Sequence, residues 1–259
     1  MVALHWSNHL SITSAMNFTT VKSARLFEEV SRQIGEQIQS GRFPPGGKLP
    51  NERELASTFA VSRHVVREAL RSLESLGQIE LRKGAAGGAF IATSGPQPLT
   101  KIMRGMVAVG GIDLAQLTEA RLAIESAVIK AAIERADEAG LAALDGNIDE
   151  AERQTLAGDL ALKTQTNVHF HILVAELTGN PILIMMMKSL MSILSDFIAE
   201  FGSVMGVDVI RSRRRFMKHM RAGHAELAVA EMERHLKILH QHYLEAAKKA
   251  QKRRGKLDG

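Results

Sequence analysis

Between residues 23 and 40, Leu26, Val30, Ile34 and Ile38 recur four residues apart, and this spacing predicts an amphipathic helix. "GRFPPGGKLP" breaks it. "NERELASTFA" predicts a short second helix, with Asn51 as its cap and Glu54 three residues on, in a capping-box arrangement. In "SRHVVREALR", residues 62–71, Val65, Val66, Ala69 and Leu70 share one stripe. Arg63, His64, Arg67 and Arg71 fall largely on the other side, and Ser62 stands where an N-cap belongs. This third helix should run to about Leu76 and stop at Gly77. "QIELRKGAAGGAFIA" then predicts two short strands around a glycine-rich turn.

"TSGPQPL", residues 93–99, has the composition of a linker. Beyond it every strong period is helical: 114–136, 138–157, 159–178, 181–202, 207–222 and 224–250. The fold class that follows is mainly α: a winged helix-turn-helix of three helices and a two-stranded wing, then an all-α bundle of six or seven helices. The domains are a tail over 1–20 (with a second possible start at Met16), the winged helix over 21–92, a linker over 93–100, the helical domain over 101–250 and a basic tail over 251–259.

A net charge of +5 suits a polyanionic partner, and 45% hydrophobic residues suffice for two cores. The chain has no cysteine, which excludes disulfides, thiolate catalysis and cysteine-ligated metal. The first twenty residues lack the apolar core of a signal peptide. "PILIMMMKSLMSILSDFIAEF" is the most apolar stretch, but Lys188, Ser189, Ser192, Ser195 and Asp196 interrupt it, so it reads as a buried core helix rather than a membrane span. A cytoplasmic protein without a membrane partner is expected. Enzyme chemistry finds no support. There is no G-x-S-x-G, and "GAAGGAF" lacks the lysine and hydroxyl of a phosphate-binding loop.

In a winged helix-turn-helix the second helix of the motif enters the major groove. The basic face of residues 62–71 is then the face that meets DNA. Arg63 and Arg67 lie one turn apart and can fork a guanine or a phosphate, and Ser62 with the helix N-terminus suits a phosphate oxygen. Gly87 and Gly88 would let the wing backbone approach the duplex. The segments "PPGGKLPNERELA" and "VSRHVVREALRSLE" resemble the GntR family of bacterial transcription regulators, with the resemblance covering residues 25–92. It implies operator contacts from Arg53, Ser62, Arg63, His64 and Arg67, joined by a wing glycine, Gly88. His64 stands where the family often has threonine. One recognition helix reads few base pairs, so a homodimer on a palindromic operator in double-stranded DNA is expected.

Residues 101–247 resemble the FCD ligand-binding domain of the FadR branch, on "LTEARLAIESAVIKAAIERA", "NVHFHILVAELTGNPIL" and "RAGHAELAVAEMERHL". Many such domains hold a divalent metal with an aspartate, a histidine four residues later and two histidines on the last helices. Here those positions are Asn167, His171, Arg213 (22 residues before the last) and His235. Only His171 and His235 remain as metal candidates, so the ligand set is incomplete and no cofactor is required. Arg121 matches the family's arginine toward the effector carboxylate. Arg121, Asn167, His171, Arg213 and His235 together would suit a small organic anion. Two blander readings compete. Arg121 could pair with Glu125 along its helix, and Arg213 could be solvated among Arg211, Arg214 and Arg215. The expected function is a repressor of a catabolic operon, relieved by that anion. The alternatives are a metal-dependent regulator with a rearranged histidine site and an architectural DNA binder that takes no effector.

Overall fold

The computed structural model describes residues 24–84, 86–93, 97–201 and 208–254. The tail read over 1–20 and residues 255–259 lie outside them. Contacts divide the chain into two compact units, residues 1–93 and 94–259.

The first unit runs α1 (Ala24–Gln39), α2 (Glu52–Phe59), α3 (Arg63–Ser75), β1 (Ile79–Arg82) and β2 (Gly88–Ile91). Val30 and Ile34 of α1 are buried against Val66, Ala69, Leu70 and Leu73 of α3, with Leu49, Leu55, Ile79 and Ile91 completing the core. Each such side chain contributes about 1.5–3 kcal/mol on leaving water. Leu26 does not join them and is 54% exposed. A strict four-residue spacing drifts by about 40° per step around a 3.6-residue helix, so its first member leaves the core face, and Phe27 packs there instead.

Asn51 caps α2 as the capping box requires. Its Oδ1 accepts from the Arg53 and Glu54 amides, and its own amide donates to Glu54 Oε2, all at 3.0 Å. Ala60 ends α2 in the left-handed region at φ 52°, and Ser62 caps α3 by accepting from Val65 N at 3.3 Å. Gly77, at φ 73°, follows the C-cap Leu76. The wing is antiparallel, from Ile79 opposite Ile91 to Arg82 opposite Gly88. A Cβ on Gly87 would lie 2.3 Å from the Arg82 carbonyl oxygen, and one on Gly88 (φ 138°) 2.8 Å from Lys48 Cε. The wing's own turn therefore requires both glycines.

The second unit is seven helices among the described residues: α4 (Gln97–Ala108), α5 (Leu114–Arg135), α6 (Glu138–Leu156), α7 (Leu160–Glu176), α8 (Pro181–Phe201), α9 (Val209–Arg221) and α10 (Ala225–Arg254). α4 starts inside the stretch read as linker. Pro98 sits in its first turn, where a missing amide costs nothing. The α4–α8 contact buries a hydrogen bond from Thr100 Oγ1 to Ser189 Oγ at 3.1 Å. Residues 251–254, read as tail, continue α10. α8 is long and apolar enough to cross a membrane, but its Met187, Leu190, Met191, Ile193, Leu194 and Ile198 are in the bundle core.

Candidate functional site

The first unit carries a basic face. Arg53, Ser62, Arg63, His64 and Arg67 are all exposed, while the opposite stripe of α3 is buried. Arg63 and Arg67 converge on one carboxylate. Arg67 Nε and Nη2 donate to Glu52 Oε1 and Oε2 at 3.0 and 2.7 Å, and Arg63 Nη2 lies 3.6 Å from Glu52 Oε2. The Arg67 hydrogen bonds hold the Glu52 carboxyl below its ordinary range. Arg71 turns away and pairs with Glu68 at 2.9 Å. Gly88 belongs to the wing, where Arg82 lies over the Phe90 ring at 4.2 Å and Lys48 at 5.4 Å.

The second unit encloses a cavity of about 50 Å³ onto which Arg121, Asn167, His171, Arg213 and His235 all open. They come from α5, α7, α9 and α10, and Lys163 and Tyr243 join them. Arg121 and Glu125 interrupt the buried face of α5 between Leu117 and Val128, and each is 3% exposed. Arg121 Nε donates to Glu125 Oε1 at 3.1 Å. Nη2 is also 3.0 Å from that oxygen, but it is buried without an aligned hydrogen bond.

His171 Nδ1 is 2.7 Å from Glu125 Oε2. Burial opposes charge on Glu125, but the Arg121 charge and the hydrogen bonds from His171 and Arg121 outweigh it and hold the carboxyl below its ordinary range. His171 is pushed down by burial more than Glu125 pulls it up, so the ring is neutral. With an ionised carboxylate as partner, Nδ1 carries the proton and Nε2 is left as an acceptor. His235, 3% exposed, has a buried Nε2 without a partner, and burial followed by the Arg213 charge pushes it down to about 3.

The reading of Arg213 as a solvated arginine is overturned. It is 3% exposed, whereas Arg211, Arg214 and Arg215 reach solvent. Its Nη1 donates to Asn167 Oδ1 at 2.8 Å, Nη2 donates to the Asn167 carbonyl, and the guanidinium lies 4.2 Å over the Phe170 ring. Burial pushes it down to about 9, which leaves it charged at neutral pH. The two departures from the metal pattern thus match each other: the amide oxygen at 167 accepts what the guanidinium at 213 donates.

The family described as "Bacterial regulatory proteins, gntR family" matches residues 26–90, and the FCD domain family matches residues 116–237. An uncharacterized HTH-type transcriptional regulator of Bacillus subtilis, YcbG, is 34% identical over 177 residues, 66% of this chain and 70% of that protein. The chain belongs to the GntR family. It is a DNA-binding transcriptional regulator with an FCD ligand-binding domain, and not an enzyme. The HTH-type transcriptional repressor NanR of Klebsiella aerogenes is 33% identical over 163 residues, 61% of this chain, and the match spans 60% of that repressor's length. The fold is shared with a Streptococcus agalactiae GntR structure at TM-score 0.57 and 24% identity, covering 83% of this chain and 99% of that one.

The divalent metal that many FCD domains hold does not fit this GntR regulator. Among the described residues no three histidine or carboxylate groups come together to hold an ion. The Nε2 lone pair of His171 is free, but a buried guanidinium on the same cavity repels a cation. His171 and His235 are imidazoles beside an arginine and, among the described residues, do not make up a ligand set. Two residues of this site escaped sequence reasoning. Glu125 was seen only as an i, i+4 partner of Arg121. Tyr243, the chain's only tyrosine, shares the cavity face of α10 with His235 and Leu239 at four-residue steps.

Proposed function

We propose that this regulator is a homodimeric repressor of a catabolic operon, released from a palindromic operator by a small organic anion, and that it works in the cytoplasm. The observation that carries the effector class is the charge of the cavity. Two buried guanidiniums, Arg121 and Arg213, stand against one buried carboxylate, Glu125, and Lys163 adds a further cation on the same cavity, so the site is net positive. An organic carboxylate would meet that positive charge beside the Arg121 and Arg213 guanidiniums, and desolvated bonds of this kind are strong. The Nε2 acceptor of His171 and the Tyr243 hydroxyl, whose proton burial helps to retain, suit a ligand that also carries a hydroxyl group. The repressor reading is supported by NanR, which is named a repressor. The operator reading is supported by the exposed Arg53, Ser62, Arg63, His64 and Arg67 on the capped helices, with Gly88 in the wing.

The test begins with an operator selected from a random duplex pool. Arg67→Ala should weaken binding to it about ten- to a hundredfold if the guanidinium meets a base, or lower the salt slope by about one if it meets phosphate. Unchanged affinity and unchanged slope would sink the operator reading. Hydroxy acids and other small carboxylic acids, screened by thermal shift and then added to the complex, should include one that releases DNA. If only neutral or cationic compounds do so, the effector reading fails.

A further inference from the structure

We propose that Glu52 is an internal competitor for DNA at the recognition helix, and that this competition sets the regulator's discrimination between operator and other duplexes. The inference rests on the reading above that Arg67, with Arg63 beside it, contacts DNA.

Glu52 is the first residue of α2, where an acid is favoured by the helix dipole. Its backbone is held by the capping box that Asn51 and Glu54 form on their own, so its position does not depend on the arginines. From there its two carboxylate oxygens take Nε and Nη2 of Arg67 in a fork, and the nearer oxygen also faces Arg63 at 3.6 Å. The forked carboxylate occupies the Nε/Nη2 edge of the guanidinium, with the two-bond geometry that a phosphate or the O6/N7 pair of guanine would need to dock on that edge. One edge cannot serve both. The pair is also within reach of a duplex, since the side chains of Arg67 and Glu52 are 46% and 30% exposed.

Bringing DNA to this face therefore exchanges one anion for another on Arg67. On a non-operator duplex only phosphates are available, so the exchange gains little, and Glu52 is left unpaired beside a polyanion. On the operator, the base-edge contacts that fix α3 in the groove offset that repulsion. The carboxylate thus penalises phosphate-only binding more than specific binding. Arg53, one residue further on, makes no ion pair among the described residues and stays available to the backbone of either duplex.

The experiment is Glu52→Gln in the full chain, measured by fluorescence anisotropy against the selected operator and a scrambled duplex over a range of salt. Non-operator affinity should rise about five- to tenfold and its salt slope steepen by about one, while operator affinity changes less than about twofold. In an Arg67→Ala background the substitution should lose most of its effect, because the competition runs through that guanidinium. Three results would overturn the proposal: no change on the scrambled duplex, an equal rise on both duplexes, or weaker operator binding at an unchanged melting temperature, which would make Glu52 a DNA contact or a buttress of Arg67. If Arg67→Ala alone leaves the operator unaffected, the contact reading itself is wrong. If Arg67→Ala behaves as expected and Glu52→Gln does not, only the competition is.

Discussion

At the scale of single residues, two of the arginines proposed to address a ligand are also paired with a carboxylate of the protein. Arg121 is paired with Glu125 and Arg67 with Glu52; only the first pair is buried. That difference decides how each can be tested. Arg121→Ala would strand a buried carboxylate, at a cost of about 3–5 kcal/mol, and loss of response would then be indistinguishable from loss of the domain. Arg121→Met combined with Glu125→Gln removes both charges and keeps the volume. An effector present at about 100 times its Kd adds about 2.7 kcal/mol to the wild type, which is about 5–10 °C in melting temperature. The double variant should lose that shift and keep operator binding. Chelator treatment should leave the wild-type shift unchanged, because Arg213 supplies the positive charge that a metal would bring. A full shift in the double variant, or a shift abolished by chelator, would show that the cavity works otherwise.

At the scale of elements, the turn between α2 and α3 is where local preference and structure disagree. Ala60 is the only non-glycine with positive φ among the described residues, and its amide donates back to Ala56 and Ser57. An L residue in this region costs about 1–2 kcal/mol relative to the right-handed one. Glycine would relieve that but gains freedom in the unfolded chain. Ala60→Gly is therefore expected to stabilise the first unit by about 0.5–1 kcal/mol and raise its transition by about 2–8 °C in calorimetry, with operator affinity preserved. A lowered transition would mean that the alanine methyl contributes packing which outweighs its strain.

At the scale of the whole molecule, α3 is 13 residues long, and only its first turn presents Arg63 and His64 together. One such helix contacts a few base pairs, too few to find a site in a genome, and each contact contributes only about 1–3 kcal/mol of discrimination. Two copies related by a two-fold axis double the reading, and the selected operator should be an inverted repeat. Light scattering of the saturated complex should give two chains per duplex. One chain per duplex with full specificity would contradict the dimer.

What the residues determined alone is local. Asn51, Glu54 and Ser62 marked two helix starts, Gly77 marked a stop, and alternation around Gly87 and Gly88 marked a wing. These are read by interactions within a few residues, and the structure has each of them. Periodicity was weaker where an element's neighbours matter. The helix α4 was missed because Pro98 and Gly105 blur its period, and Leu26, counted in the apolar spacing of α1, is exposed. The resemblance to the FCD domain also pointed to Arg121, Asn167, His171, Arg213 and His235, which the bundle brings to one cavity from four helices. Only the tertiary structure decided which charge faces which. A helical period says which side of an element is buried, and not what lies across from it. So Glu125 against His171, Asn167 against Arg213, and Glu52 between two arginines become legible only when helices distant in sequence pack together.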